Sequence, residues 1–117
     1  MKLDHFNCPR GLEVTIRAVV EPICPFTGAR DSYRLLVWYR SSGKCAEAES
    51  IYRALSEYRS RRITQEALTQ ELLEVFSGAL EPEEVCVELA GSHGAVTIES
   101  RACQRGGEGV RSAGQRS

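Results

Sequence analysis

The sequence has 117 residues, the length of one domain, with 42% hydrophobic residues, 26% charged residues and a net charge of −1. This balance is typical of a globular protein and gives no general indication of nucleic-acid binding. No apolar run approaches the ~20 residues that a membrane-spanning helix needs, and residues 1–5 lack the apolar core of a signal peptide. We therefore expect a cytoplasmic protein with no membrane partner.

The first half of the chain predicts a β-hairpin. Residues 13–19 alternate between two faces with the period of a strand, and residues 33–40 are rich in aromatic and branched side chains. The connection between them contains Cys24, Pro25 and Gly28, and Pro and Gly favour a tight loop. We expect a long antiparallel hairpin whose connection carries this cysteine.

Two helices follow the hairpin. The first covers 46–60, where apolar residues recur at helical spacing. The second begins after Thr64, a residue type that caps helix N-termini, and Gly78 is placed to end it.

Strands return at 85–90 and 96–100, separated by a turn at 91–94. The order strand-strand-helix-helix-strand-strand predicts an α+β fold, with a four-stranded antiparallel sheet and both helices on one face. We expect one domain over residues 1–103 and a flexible Gly-, Ser- and Arg-rich tail over residues 104–117.

Such a sheet would leave one face uncovered and two edge strands open. Both are resolved when copies pair edge to edge into a closed barrel, which removes the edges. We therefore expect a homo-oligomer.

Five cysteines occur at wide, irregular spacing, without a Cys-x-x-Cys pair, and the chain has two histidines, His5 and His93. This pattern predicts no metal site. A disulfide is compatible with a cytoplasmic protein of a hyperthermophile. We expect structural roles for four of the five: Cys8, Cys45, Cys86 and Cys103.

The fifth, Cys24, has two chemically useful neighbours. A loop cysteine can be accessible to solvent, and a cation such as Arg30 would lower its pKa and favour the nucleophilic thiolate. Asp31 could supply the proton that nucleophilic chemistry needs. The alternative is an inert, half-buried cysteine in an ordinary turn.

The motif Cys-Pro-x-Thr-Gly-x-x-Asp at residues 24–31, followed by a Cys-x-Glu helix, resembles the QueF family of tunnelling-fold enzymes over most of the chain. That family includes nitrile reductases of queuosine biosynthesis and their archaeal relatives. The resemblance implies a ββααββ tunnelling fold that assembles as a pentamer or as stacked pentamers. It also implies that Cys24 attacks the nitrile carbon of 7-cyano-7-deazaguanine to form a thioimide, with Asp31 as the proton donor.

A second family motif, which is tied to NADPH binding in the reductases, is broken here. Glu47 and Ser50 are kept, which implies substrate binding by these two residues. Both motif lysines are replaced, by Glu49 and Tyr52, and the closing aromatic is Ala54. Since a carboxylate repels a cofactor phosphate, we expect no NADPH site.

The family's base-recognising His-Glu pair corresponds to Gln65 and Glu66. The resemblance implies that the Glu66 carboxylate accepts hydrogen bonds from the deazaguanine edge. The alternative for Glu66 is a first-turn acid that stabilises a helix N-terminus.

A sequence that keeps Cys24 and Asp31 but lacks the NADPH-binding motif resembles the archaeal QueF-like amidinotransferases, which make archaeosine in tRNA. The resemblance implies a tRNA that bears 7-cyano-7-deazaguanine as the substrate, ammonia as the co-substrate and no redox cofactor. Contacts with the tRNA phosphates would come from arginines near the helix-helix connection and near the C-terminus. An oligomer would repeat each of these arginine clusters around its rim. The candidates are Arg53, Arg59, Arg61 and Arg62, with Arg101, Arg105, Arg111 and Arg116 near the C-terminus.

Two other functions remain open from the sequence. One is an NADPH-dependent nitrile reductase with an unusual cofactor site, and the other is a non-catalytic tunnelling-fold binding protein.

Overall fold

In a computed structural model, the chain forms an α+β fold, and the structure describes residues 2–106 and 111–112. The strands are β1 (His5–Asn7), β2 (Glu13–Val20), β3 (Tyr33–Arg40), β4 (Lys44–Ala46), β5 (Glu84–His93), β6 (Val96–Arg105) and β7 (Arg111–Ser112). The helices are α1 (Ala48–Ser56), a 3₁₀ turn (Glu57–Ser60) and α2 (Gln65–Leu80).

The main sheet has the order β2-β3-β5-β6-β7 and is antiparallel throughout, while β1 and β4 form a separate pair. Strand β3 turns one of its faces toward the core, as its period-two pattern predicts. The buried residues are Tyr33, Leu35, Val37 and Tyr39, and the intervening residues are more exposed. Strands β2, β3, β5 and β6 with the two helices confirm the predicted four-stranded antiparallel α+β arrangement.

Helix α1 begins at the side chain of Glu47, which accepts hydrogen bonds from the amides of Glu49 and Ser50. It is shorter than predicted because the chain tightens into the 3₁₀ turn after Ser56, and this turn places Tyr58 in the core with no exposed surface.

Helix α2 is capped by Thr64, whose side chain accepts from the amide of Ala67, as the sequence predicts. The prediction that Gly78 ends this helix is wrong. The helix continues to Leu80 and ends where Glu81 adopts a left-handed conformation with φ of 46°. The Glu81 carboxylate pairs with Lys44, so a long-range contact rather than glycine accompanies the end of the helix.

Strands β5 and β6 are longer than predicted because Gly91, Ser92 and His93 continue the antiparallel pairing as far as Val96. The turn therefore narrows to Gly94 and Ala95. At the other end, β6 extends to Arg105 and β7 pairs with it. Residues 107–110 and 113–117 of the expected tail lie outside the described residues.

Two disulfides join cysteines that were expected to be structural. Cys8 is bonded to Cys45, and Cys86 is bonded to Cys103, its direct partner across β5 and β6. All five cysteines lie within residues 2–106, and the one free thiol is that of Cys24.

Within residues 2–106 and 111–112, β2 pairs only with β3, so its outer edge has no strand beside it. The expected closure of this edge by another copy stays a prediction. Among the described helices, none is long and apolar enough to cross a bilayer.

Candidate active site

The connection between β2 and β3 is a compact, hydrogen-bonded turn. The Cys24 amide donates to the Ala29 carbonyl at 2.8 Å, and the Gly28 amide donates to the Cys24 carbonyl at 2.9 Å. Gly28 has a φ of +74°, a conformation that side chains disfavour. At the base of the turn, the Asp31 amide donates to the Pro22 carbonyl at 2.9 Å, which holds Asp31 close to Cys24.

The turn itself activates the half-buried Cys24 thiol. Its pKa is lowered, first by a hydrogen bond from the Thr27 hydroxyl and then by the backbone N–H groups of Thr27 and Phe26. Burial and the charge of Asp31 oppose this shift. Because the donors favour the charged form of sulfur, the loop stabilises a thiolate nucleophile.

The expectation that Arg30 activates the thiol is wrong. Arg30 is not among the groups that shift the pKa of Cys24. Its guanidinium is directed at backbone instead, donating to the carbonyl of Glu21 at 2.9 Å and to that of Arg59 at 2.6 Å. Arg30 therefore fastens the loop to the 3₁₀ turn.

Asp31 is oriented by a buried tyrosine. The Tyr33 hydroxyl donates to Asp31 Oδ2 at 3.0 Å, and Tyr33 is 3% exposed. Burial, followed by this hydrogen bond, raises the pKa of Tyr33, so the phenol remains a donor at physiological pH. The Tyr33 ring packs closely against the backbone of β5 at Gly91. A side chain at this position would clash with the ring, since a Cβ at Gly91 would lie 2.5 Å from Tyr33 Cδ1.

The loop is docked onto the segment that precedes α2. The Ile23 amide donates to the Arg61 carbonyl at 2.9 Å, and the Ile63 amide donates to the Ile23 carbonyl at 3.2 Å. Arg61 is in turn paired with Glu71, which also accepts from the buried Tyr58 hydroxyl at 2.6 Å. The Cys24 loop is therefore anchored to the segment that joins the 3₁₀ turn to α2.

Glu66 lies in the first turn of α2, is exposed, and its charge acts on the Tyr33 hydroxyl. The structure thus brings Glu66 to the same region as Cys24, Asp31 and Tyr33.

Glu47 and Ser50 are engaged elsewhere. Glu47 caps α1, and the Ser50 hydroxyl accepts from the Asp4 amide at 3.0 Å and donates to the Glu47 carbonyl at 2.9 Å. Within the described chain, neither forms a hydrogen bond or ion pair with Cys24 or Asp31. The contacts present in this chain organise the start of α1.

Of the four candidate arginines near the helix-helix connection, three are paired with carboxylates. Arg53 contacts Asp4 at 3.4 Å, Arg59 contacts Glu21 at 2.6 Å, and Arg61 is bonded to Glu71. Arg62 forms no such pair among the described residues.

No family model matches the sequence. An archaeosine synthase from Pyrobaculum calidifontis is 29% identical over 86 residues, which cover 74% of this chain and 79% of that protein. The crystal structure of a QueF-like archaeosine synthase in the apo form superposes with a TM-score of 0.77 and 28% identity, over 87% of this chain and 99% of that one. The resemblance to the QueF-like archaeosine synthases is confirmed.

Gln65, which stands at the histidine position of the QueF family pair, is 4% exposed. Its side-chain amide nitrogen donates to the carbonyls of Leu89 and Ile98, at 3.1 and 2.9 Å. Gln65 therefore ties the beginning of α2 to strands β5 and β6.

The residues that replace the QueF lysines lie on α1. Glu49 is in its first turn, and Tyr52 is 74% exposed on a groove of about 500 Å³ between α1 and β2. No lysine lines this groove; its charged residues are Arg17, Glu21 and Arg59. Within the described residues, no group of three or more His, Cys, Asp or Glu side chains is placed to hold a metal ion.

Sequence reasoning missed Thr27 and Tyr33 as parts of the site. Thr27 belongs to the QueF-like motif itself, three residues after the nucleophile, so its place in the turn was a signal that could have been used. Tyr33 gave no signal, because its alternating pattern predicts only a core residue of β3.

We expect Thr27→Val to raise the pKa of Cys24, because it removes the hydroxyl that donates to the sulfur. At pH 7 the thiolate fraction, and with it the rate of alkylation by iodoacetamide, should fall by up to about tenfold, the change that one pKa unit produces. The difference should disappear at a pH above the ordinary thiol pKa. Thr27→Ser is the matched control and should react like the wild type; equal rates for valine and serine at pH 7 would contradict the assignment.

Proposed function

We propose that the protein is a tRNA-modifying archaeosine synthase. It would act as an amidinotransferase that converts the nitrile of 7-cyano-7-deazaguanine in tRNA to the formamidine of archaeosine, with ammonia as co-substrate. The observation that carries the proposal is a free cysteine with a lowered pKa in one turn with Asp31. The similarity to two proteins named archaeosine synthase supports the choice of reaction.

The first half of the reaction needs only the Cys24 loop. Asp31 takes the proton from the Cys24 thiol, the thiolate forms a bond to the nitrile carbon, the carbon–nitrogen triple bond becomes a double bond, and Asp31 gives the proton to the nitrogen. The product is a covalent thioimide, and Asp31 is left as a carboxylate. Covalent catalysis divides one difficult addition into two easier ones.

In the second half, ammonia adds to the thioimide carbon to give a tetrahedral adduct. Asp31 takes a proton from the added nitrogen, the carbon–sulfur bond breaks, and Asp31 returns the proton to the departing Cys24 sulfur, which restores both groups. The nitrile and ammonia together account for every atom of the formamidine. The net addition needs neither an oxidant nor a reductant.

We assign base recognition to Glu66. Its carboxylate is exposed beside the site and can accept paired hydrogen bonds from the ring N–H and the exocyclic amine of the deazaguanine. Roles for Glu47 and Ser50 at the base stay predictions, since their hydrogen bonds in this chain are with residues at the start of α1 and with Asp4.

Ammonia rather than NADPH fits the residues of α1. A nucleotide phosphate would meet Glu49 where the reductases have a lysine, and the repulsion disfavours the cofactor.

We propose a cytoplasmic homo-oligomer, a pentamer or decamer, in which the free edge of β2 is paired with another copy. A monomer by light scattering at micromolar concentration would contradict the oligomer.

The test begins with free 7-cyano-7-deazaguanine and intact-mass measurement. We expect an adduct on the wild type that Cys24→Ala abolishes; its absence from the wild type would favour a binding protein without catalysis. The second step supplies ammonium and tRNA that bears the nitrile, with and without NADPH. Formamidine formed without NADPH supports the proposal, whereas oxidation of NADPH coupled to loss of the nitrile would identify a reductase.

A further inference from the structure

The tip of the Cys24 loop carries an aromatic side chain with almost no protein contact. Phe26 is 85% exposed, the largest value among the exposed large hydrophobic residues of the described chain. It lies two residues from the nucleophile, and its backbone N–H is one of the groups that lower the pKa of Cys24. The backbone of Phe26 is thus held at the sulfur, while most of its side chain is open to solvent.

Arg62 provides a cation against the same loop. A Cβ at Gly28 would lie 3.6 and 3.8 Å from the two terminal nitrogens of Arg62, so the guanidinium rests on the turn. The backbone on either side of Arg62 is hydrogen-bonded to Ile23, the residue before the nucleophile. Arg62 is exposed, and no carboxylate of the described residues neutralises it, in contrast to Arg59 and Arg61.

An exposed aromatic ring and an unpaired guanidinium around one nucleophile fit an RNA strand. Unstacked bases of RNA stack on aromatic side chains, and arginines pair with backbone phosphates. When a nucleotide within a strand reaches Cys24, its neighbours in that strand pass over the residues that surround the thiol. A free base has no phosphate for Arg62 and no neighbouring base for Phe26.

We propose that Phe26 and Arg62 form a strand clamp, in which Phe26 stacks on a base next to the modified nucleotide and Arg62 pairs with a backbone phosphate. The strand clamp rests on the proposed function, because it presupposes that the nitrile arrives as part of a tRNA. It makes the loop selective for a polynucleotide over the free base, while Cys24 and Asp31 perform the same addition on either.

The test compares the two substrates for Arg62→Ala and Phe26→Ala. Thioimide formation with free 7-cyano-7-deazaguanine should stay within about twofold of wild type, since neither side chain has a partner on the base and Phe26→Ala keeps the backbone N–H that acts on Cys24. Formamidine formation on nitrile-bearing tRNA should fall about 10- to 100-fold in kcat/KM for each variant, the range of one lost stacking or phosphate contact. Arg62→Lys should recover most of the activity because it keeps the charge.

Two matched controls lie outside the Cys24 loop and the segment on which it is docked. Arg10 is exposed and its guanidinium donates to the Ser42 carbonyl, and Phe6 is 52% exposed on β1. Arg10→Ala and Phe6→Ala should leave both reactions unchanged. For Arg62→Ala alone, the slope of log kcat/KM against log salt should become shallower by about 0.7–0.9, the value for one phosphate contact.

Several results would overturn the strand clamp. One is an equal loss of activity on the free base and on tRNA, and another is no loss of activity on tRNA. A third is an unchanged salt dependence of kcat/KM for Arg62→Ala. A fourth is a changed oligomer mass by light scattering, which would make Phe26 or Arg62 a contact between copies. Binding of unmodified tRNA, followed by fluorescence anisotropy, separates this failure from that of the proposed function. If wild type and both variants bind tRNA equally, the clamp fails whatever reaction is catalysed; if wild type forms the thioimide yet never modifies tRNA, the proposed function fails and the clamp with it.

Discussion

Replacement of Asp31 by asparagine should slow thioimide formation by about 10²- to 10⁴-fold, the usual contribution of a positioned general acid. An amide cannot give a proton to the nitrile nitrogen as the sulfur attacks. The measurement is the single-turnover rate of adduct formation with free 7-cyano-7-deazaguanine, followed by intact mass at pH 7.

The same substitution should affect simple alkylation in the opposite direction. The negative charge of Asp31 raises the pKa of Cys24, so its removal lowers that pKa further and leaves more thiolate at neutral pH. Iodoacetamide should therefore react with Asp31→Asn at least as fast as with wild type. Tyr33→Phe, which keeps the acid but removes its 3.0 Å hydrogen bond, should show a smaller loss of adduct rate. Parallel losses of alkylation and adduct formation in Asp31→Asn would mean a collapsed loop rather than a missing acid.

Loss of the Cys8–Cys45 disulfide should destabilise the fold by about 4 kcal/mol, because the bond closes a loop with a sequence separation of 37 and so restricts the unfolded chain. For a domain of this size, that corresponds to a decrease in Tm of about 10–20 °C. The variant is Cys8→Ala with Cys45→Ala, melted beside wild type at equal protein concentration without reductant.

Thiol titration in denaturant controls the redox state. Unreduced wild type should give one thiol, that of Cys24, and reduced wild type should give all five. Reductant should lower the Tm of wild type by more than that of the variant, which retains only Cys86–Cys103. A wild-type Tm insensitive to reductant, with five thiols exposed, would contradict the stabilising role. Well below its Tm, the variant should still form the adduct, since Cys24 takes no part in either bond.

The fold was predictable where local pattern and tertiary environment agree. The alternation of β3 and the apolar stripe of α2 predicted a strand and a helix that the structure contains, and the order of the four main strands and the two helices is the predicted one. The short strands β1, β4 and β7 were not predicted. Predictions were wrong where a distant partner decides the outcome. Helix α2 continues past Gly78 to the buried Leu80 and ends at the left-handed Glu81, and β5 extends through Gly91 because β6 continues to pair with it.

The site divides in the same way. Cys24 and Asp31 were predictable because one short motif contains both residues. The source of activation was not, since Arg30 is near in sequence but its guanidinium is directed at the carbonyls of Glu21 and Arg59. Tyr33 was missed because its contact with Asp31 depends on how the loop folds back against β3, which the period-two pattern does not determine.

The groups that lower the pKa of Cys24 all come from Phe26 and Thr27, within three residues of the sulfur. The lowered pKa of Cys24 is therefore a property of one contiguous turn. Under the proposed function, the species that adds to the thioimide would differ between the QueF reductases and this chain through residues on α1 such as Glu49 and Tyr52, while the turn would stay the same. Such a separation allows one enzyme lineage to acquire a new overall reaction without having to rebuild its first step.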